Sequence, residues 1–442
     1  MTTVARKPDT LQRIGEAQAA AEPVLGGGPL WAGRRRAALE RVLALGLPTR
    51  RDENWKYLNL RALEKRSFAP AIPALPGEAD LLARLVPLED VSRIVLVDGR
   101  LAPGLSTAGL PDGVRVTALE HAFADDPAAA AARLATPGGG PDDRFALLAE
   151  AFAGAGLLLG ITGEIATPLY VVHVQTGHAG AAVHARLAID MAPKSRAVLV
   201  EHFVSMDGAA SLYNLHAEVD VAAGAALEHY RVQQLDVAAA LVETLTARVA
   251  ASGSYRQHGF PLGAALARTG FRLELAGPGA EGVINGLFLA DGQREVDLYT
   301  LVEHVQPHTR SEQVFRGIAT GAGHGAYNGK VIVHPGAQKA DSSQSSRNLL
   351  LSPGAEIDAR PQLEIHADDV KCSHGVTIGS LDPAQLFYLL SRGIDRATAQ
   401  GLLTFAFCED VLATVRLPAL RRHLEDAVLG RLPDRDVIKE FV

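Results

Sequence analysis

The feature that most constrains this chain is a stretch from about residue 165 to 380 in which short strand-like segments recur and helical periodicity is almost absent. The segments are Leu169 to Val174, Ala185 to Ile189, Ala197 to Phe203, Ala217 to Val221, Ala226 to Val232, Leu241 to Val249, Phe271 to Leu275, Val283 to Leu289, Val296 to Leu301, Val314 to Ile318, Gly329 to Val333 and Gln362 to His366. Breaks at Gly, Asn, Asp or Ser fit an all-β sandwich, a barrel or a β-solenoid. Size favours the solenoid, because a stacked coil grows in length without needing a larger core, whereas a single sandwich this long would be unusual. Recurring turns point the same way: Pro278-Gly279-Ala280-Glu281 is echoed by Pro353-Gly354-Ala355-Glu356, and Asn285-Gly286 by Asn328-Gly329. The repeat is weak, so a pair of sandwiches also fits.

The flanks differ. Residues 10–65 read as helical, with Ala38, Val42 and Leu45 at three-to-four spacing in the Gly33 to Leu45 stretch. After a turn at Gly46-Leu47-Pro48-Thr49, Arg50 to Tyr57 reads as a helix docked by Trp55 and Tyr57. Residues 70–160 mix a strand at Ile94 to Val97, a Gly/Pro break at Pro137 to Pro141 and an apolar helix at Phe145 to Phe152. Beyond 380, Asp382-Pro383-Ala384-Gln385 carries an N-cap acid, Pro at the first helical position and Gln three residues after the cap. That helix runs through Leu386 to Leu390 and stops at Gly393. A second places Ala399, Leu402, Leu403, Ala406 and Val411 on one face, and a third follows Pro418 with Leu420, Leu424, Ala427 and Val428. The expected organisation is mainly β: a mixed helical and α/β region over 1–160, a β-core over 161–380 and a helical region over 381–442. The terminal helices are expected to cap the β-stack and to offer a partner surface.

Lys plus Arg number 43 against 50 Asp plus Glu, a net charge of −7, which argues against a nucleic-acid groove or a basic membrane surface. No segment reaches the 18 or so uninterrupted apolar residues of a membrane helix, and Met1 to Arg13 is polar, so cytoplasmic residence is the expectation. Two cysteines, Cys372 and Cys408, supply neither a disulfide framework nor a four-thiolate metal site from one chain. Any metal function would have to be shared.

Most motifs dissolve in context. Gly277-Pro278-Gly279-Ala280-Glu281-Gly282 matches G-x-G-x-x-G, but strand chemistry follows it where the dinucleotide motif needs a helix, so it reads as a turn. Gly329-Lys330 lacks the rest of a P-loop, with His324 at the first Gly position and Val331 at the Ser/Thr position, so the chain is not expected to bind ATP by itself. Pro307 disfavours a helical His304/His308 ligand pair, leaving a turn on a strand surface. Asp341 to Asn348, small and polar, reads as a solvent-exposed turn or a stacked polar ladder. The richest segment is Glu364 to Gly379. Leu363, Ile365 and Ala367 alternate with Glu364, His366 and Asp368, the parity slips at Asp368-Asp369, and Cys372 and His374 then lie two apart on one strand face. Such a pair can present a soft sulfur and an imidazole to one metal; the alternative is a half-buried thiol beside a hydrogen-bonded histidine. Cys408, among Phe405, Phe407 and Val411, reads as packing.

Lys371-Cys372-Ser373-His374-Gly375-Val376-Thr377-Ile378-Gly379, followed by Leu386-Phe387-Tyr388-Leu389 and Ser391-Arg392-Gly393-Ile394, resembles the SufB/SufD family of iron-sulfur cluster assembly proteins. Asn348 to Leu351, Pro361 to Ile365, and the Leu47-Pro48 to Trp55-Lys56-Tyr57 element extend the match to nearly the whole chain. The SufD branch fits better, since the SufB branch is usually longer and richer in cysteine and typically has Glu-His-Glu-Ala where this chain has Cys372 to Gly375. The resemblance implies a right-handed parallel β-helix between helical ends. It also implies a heterodimer with SufB through that β-helix, and SufC ATPases on the carboxyl-terminal helices, so that ATP acts only through SufC. His374 corresponds to the histidine implicated in nascent cluster formation opposite a SufB cysteine, and Cys372 to the neighbouring family cysteine. Reduced flavin is associated with the family's complex, and no flavin motif is present here. One Cys-x-His strand has too few ligands to retain a cluster, so a transient cluster shared with SufB, on a non-catalytic scaffold subunit, is the expectation. Two rivals are a β-solenoid carbohydrate-active enzyme using Glu364, Asp368 and Asp369, which the 5% aromatic content and missing export signal disfavour, and a purely structural homodimer.

Overall fold

The computed structural model describes residues 9–66, 68–134, 143–176, 181–206, 208 and 211–440. The expected Pro137 to Pro141 break lies outside them. In chain order the strands are β1 (Ser92–Val97), β2 (Arg100–Leu101), β3 (Val114–Ala118), β4 (Ala155–Ile161), β5 (Leu169–Gln175), β6 (Ala182–Met191), β7 (Arg196–Ser205), β8 (Leu212–Val221), β9 (Ala226–Gln234) and β10 (Ala240–Val249). They continue as β11 (Ser254–Pro261), β12 (Leu266–Leu275), β13 (Glu281–Ala290), β14 (Glu295–His304), β15 (Arg310–Ala319), β16 (His324–Val333), β17 (Asp341–Leu350), β18 (Glu356–Ile365) and β19 (Lys371–Gly379).

From β4 onward, even strands fall in one sheet and odd strands in the other, so the chain changes sheet at every turn and each strand pairs in parallel with the one two places away. The protein is mainly β, a solenoid of about seven turns with helices at both ends. Side chains alternate along each strand. One set, such as Phe271, Leu273 and Leu275 of β12, fills the space between the sheets. The other set points outward but is also largely covered, which is why Leu287-Phe288-Leu289 is apolar without a break. Trp55, Leu58, Phe145 and Phe152 of the amino-terminal region pack on Ala182, Leu212, Val242 and Leu266 outside the even sheet.

Several local expectations change. The carboxyl-terminal helices do not cap the stack: Phe405, Val411, Leu412 and Leu424 lie along its side, against the outward Tyr230, Phe260, Leu287, Leu289 and Ile318 of the odd sheet. Those outward side chains need cover more than the stack needs a lid. Helix Arg396–Leu412 accordingly buries Ala399, Phe405, Cys408 and Val411, while Ala406 of the expected face is exposed. Arg50 to Tyr57 forms only one 3₁₀ turn, Glu53–Trp55, yet Trp55 is buried and stacks on Phe145 with ring centroids 5.4 Å apart. Helix Gly28–Leu45 buries Ala38 and Val42 but leaves Leu45 exposed. His304 is not on a strand surface. It ends β14 with its ring in the core.

Of the recurring turns, Asn285-Gly286 and Asn328-Gly329 lie inside β13 and β16, because their neighbours pair in the ladders. Pro353-Gly354 turns between β17 and β18 beside Gly321, whereas Pro278-Gly279 belongs to a stacked corner between even and odd strands. Lys194, Gly224, Ser252, Gly279, His308 and Lys339 all take positive φ. The N–H groups of Lys194, Gly224, Ser252 and Gly279 each donate to a carbonyl in the next corner, at 2.9 to 3.2 Å. Gly279 of the G-x-G-x-x-G match therefore serves this corner at φ 69°, a conformation glycine adopts freely.

Candidate metal site at the open end of the solenoid

β18 and β19 finish the two sheets at the same end, and each has a strand on one side only. Such edges present unpaired backbone groups in a row. Two apolar side chains stand out on them, Ile365 at 42% and Ile378 at 43% exposed.

β19 lies in parallel register on β17, which lies on β15, so inward residues form columns: Cys372 on Ser342 on Ser311, and His374 on Gln344 on Gln313. Both columns are polar below the rim, and Ser311, Gln313, Ser342 and Gln344 are each 1–2% exposed. The hydroxyls of Ser311 and Ser342 are 2.9 Å apart, and His304 Nε2 is 2.8 Å from Ser311 Oγ. In the second column Gln344 Nε2 donates to the Tyr327 hydroxyl at 2.8 Å, and Thr300 Oγ1 donates to Gln313 Oε1 at 2.8 Å. Among the described residues Gln344 Oε1 has no partner, leaving a buried acceptor in the column below His374. The expected polar ladder at Asp341 to Asn348 is thus present, with its inward half buried rather than solvated.

Cys372 is half-buried against the core and His374 is exposed. Burial pushes the Cys372 thiol up, the Asp341 carboxylate adds to the push, and a hydrogen bond with the Ser342 backbone opposes it. A metal ion binding there would have to displace that proton. Among the described residues, no third His, Cys, Asp or Glu joins the pair within ligand-sharing distance. The rim therefore offers one sulfur and one imidazole.

The other candidates are placed elsewhere. Cys408 is fully buried in the helical layer, where burial drives its thiol far above the usual range. Glu364 is held by Lys330 at 2.6 Å and by His366 at 3.1 Å, hydrogen bonds that lower its carboxyl, and Asp369 is paired with Lys339. Deeper in the stack lies a charged knot that the strand pattern did not reveal. Glu201 contacts His173 Nε2 at 2.8 Å, His229 Nε2 at 2.8 Å and Arg231 Nε at 2.9 Å, and Arg231 reaches Glu243 at 2.7 Å. Burial alone would raise the Glu201 carboxyl, but Arg231 and the two histidines hold it well below its usual range. Columns and knot share one signal, a spacing of about 30 residues between stacked positions, which segment-by-segment reading overlooks.

The SUF system FeS cluster assembly, SufBD core domain profile matches residues 173–407, and the SufBD protein N-terminal region profile matches residues 28–168. The chain belongs to the SufBD family. It is 34% identical over 404 residues to the iron-sulfur cluster assembly protein SufD of Escherichia coli K12, covering 89% of this chain and 92% of that one. An iron-sulfur cluster assembly SufBD family protein of Synechocystis is 26% identical over 90% of each chain, and Bacillus subtilis SufD is 26% identical over 60% of this chain and 61% of its own. The rim of this SufBD-family chain, with both polar columns, falls within the core-domain match. No helix among the described residues is long and apolar enough to cross a membrane.

Proposed function

We propose that this SufD homologue is a non-catalytic cytoplasmic scaffold subunit for iron-sulfur cluster assembly. It pairs with SufB through the β18/β19 edge and holds a nascent cluster at the shared rim. The observation that carries this reading is the coincidence of the inward Cys-x-His pair with the stack end whose two edge strands are long and parallel, ten and nine residues against the five and two of the antiparallel edge strands at the other end. An edge of this kind accepts another strand by main-chain hydrogen bonding, and side chains at the rim then face those of the partner. The cluster is cargo, and two ligands from this side hold it loosely enough to pass on, the rest coming from SufB. SufC would dock on the carboxyl-terminal helices, where Leu389, Leu402, Leu403 and Ala406 line a groove beside Arg421 and Glu425. ATP would then act only through SufC, altering the rim from outside this chain.

Co-expression with SufB and SufC tests the assignment. His374→Ala should leave the complex assembled while iron and sulfide per complex fall severalfold. Unchanged iron and sulfide would remove His374 from the site. Formation of a homodimer of this chain, with no SufB bound at all, would replace the scaffold reading by a structural one.

A further inference from the structure

A second group of ligating side chains lies on the opposite face of the other sheet. β14, β16 and β18 are neighbours, and their outward residues stack in register as Glu295, His324 and Glu356, with Asp297, Ala326 and Asp358 two positions along. His324 Nε2 is 3.0 Å from an Asp358 carboxylate oxygen. One ligand atom each from His324, Glu356 and Asp358 lie within 4.8 Å of one another.

The charge balance of this patch is incomplete. Asp297 is engaged by Arg268, and the Glu295 carboxylate accepts the Asn59 backbone N–H at 3.0 Å. Among the described residues no lysine or arginine pairs with Glu356 or Asp358, although the two share one face of an edge strand, where like charges repel. The patch therefore carries excess negative charge beside an imidazole nitrogen.

We propose that His324, Glu356 and Asp358 bind one first-row divalent cation, Zn²⁺ or Fe²⁺, at a site separate from the Cys372–His374 rim. One nitrogen and two carboxylate oxygens suit such an ion, whereas Ca²⁺ and Mg²⁺ favour oxygen alone. Because Glu356 and Asp358 belong to edge strand β18 and His324 to β16, the ion would bolt the outermost strand of the even sheet to its neighbour.

The test uses the full chain with Cys372→Ala and His374→Ala, so that the rim contributes no ligands, titrated with Zn²⁺ by calorimetry. One equivalent should bind. Glu356→Gln and Asp358→Asn should each weaken it by more than the roughly 10–100-fold that loss of an outer-shell partner costs. His324→Ala should abolish it, and Ca²⁺ should not compete. All three positions are at the surface or half-buried, so metal-free thermal melting should be unchanged, which separates lost ligation from lost folding. No Zn²⁺ bound by the background protein, unchanged affinity in Glu356→Gln and Asp358→Asn, or displacement by Ca²⁺ would each overturn the site.

Discussion

The two ends of this solenoid are finished in opposite ways. At the amino-terminal end the odd sheet closes with the two-residue antiparallel β2 and the even sheet with the five-residue antiparallel β3. At the other end β18 and β19, ten and nine residues long, close nothing. The interiors differ in the same sense. Toward the first end, Glu201, Arg231 and Glu243 form a buried charged knot, whereas the columns reaching the second end are uncharged Ser and Gln up to Cys372 and His374. A parallel coil always ends in unpaired backbone groups. The ends therefore have to be capped or used, and here one is capped while the other is left long, regular and partly apolar.

The largest expected effect breaks that contrast at the open end. Ile365→Lys with Ile378→Lys places charge on both edges and should abolish co-purification with SufB while the isolated chain keeps its far-ultraviolet circular dichroism. Retained complex would mean that the open end is not the interface. Glu201→Ala strikes the knot instead. It leaves Arg231 Nε and the Nε2 atoms of His173 and His229 without their buried carboxylate partner and should destabilise the chain by about 3–5 kcal/mol in urea unfolding. A loss under about 1 kcal/mol would show that the knot adds nothing beyond ordinary packing.

Acid sharpens the comparison further. Burial lowers His184, His258 and His304 to about 4, from an ordinary value of 6.5. Above pH 6.5 these rings are neutral in folded and unfolded chains alike. Below it the unfolded chain takes up protons that the folded chain refuses, so stability should fall as pH drops from 6.5 through about 4. Urea midpoints measured across that window should decline, and less steeply in His304→Asn. A flat profile would contradict the buried, neutral histidines. The smallest effect is at the rim, where His374→Ala should change stability by no more than about 0.5 kcal/mol because its side chain is exposed. A larger loss in thermal melting would make His374 a structural residue.

How much was legible follows from range. The strand run, the helix starting at Pro383 with its Asp382 cap, and the turn at Gly277 to Ala280 all depend on neighbours a few residues away, and each is found where local chemistry puts it. His304 is buried, contrary to its reading as a surface turn, because its partners Thr309 and Ser311 lie beyond a corner whose geometry is set by the next coil. The helical layer was expected at the end and lies on the side for a similar reason: what it covers is outward apolar surface contributed by strands far apart in the chain.

The sequence by itself determined that Cys372 and His374 share a strand face, because alternation is a property of the extended backbone and needs no partner. Only the tertiary structure decided that this face looks inward, that Ser342 and Gln344 lie beneath the pair, and that among the described residues no strand pairs beyond it. Those facts depend on which strand stacks on which, and that choice is made by packing between residues about 30 positions apart.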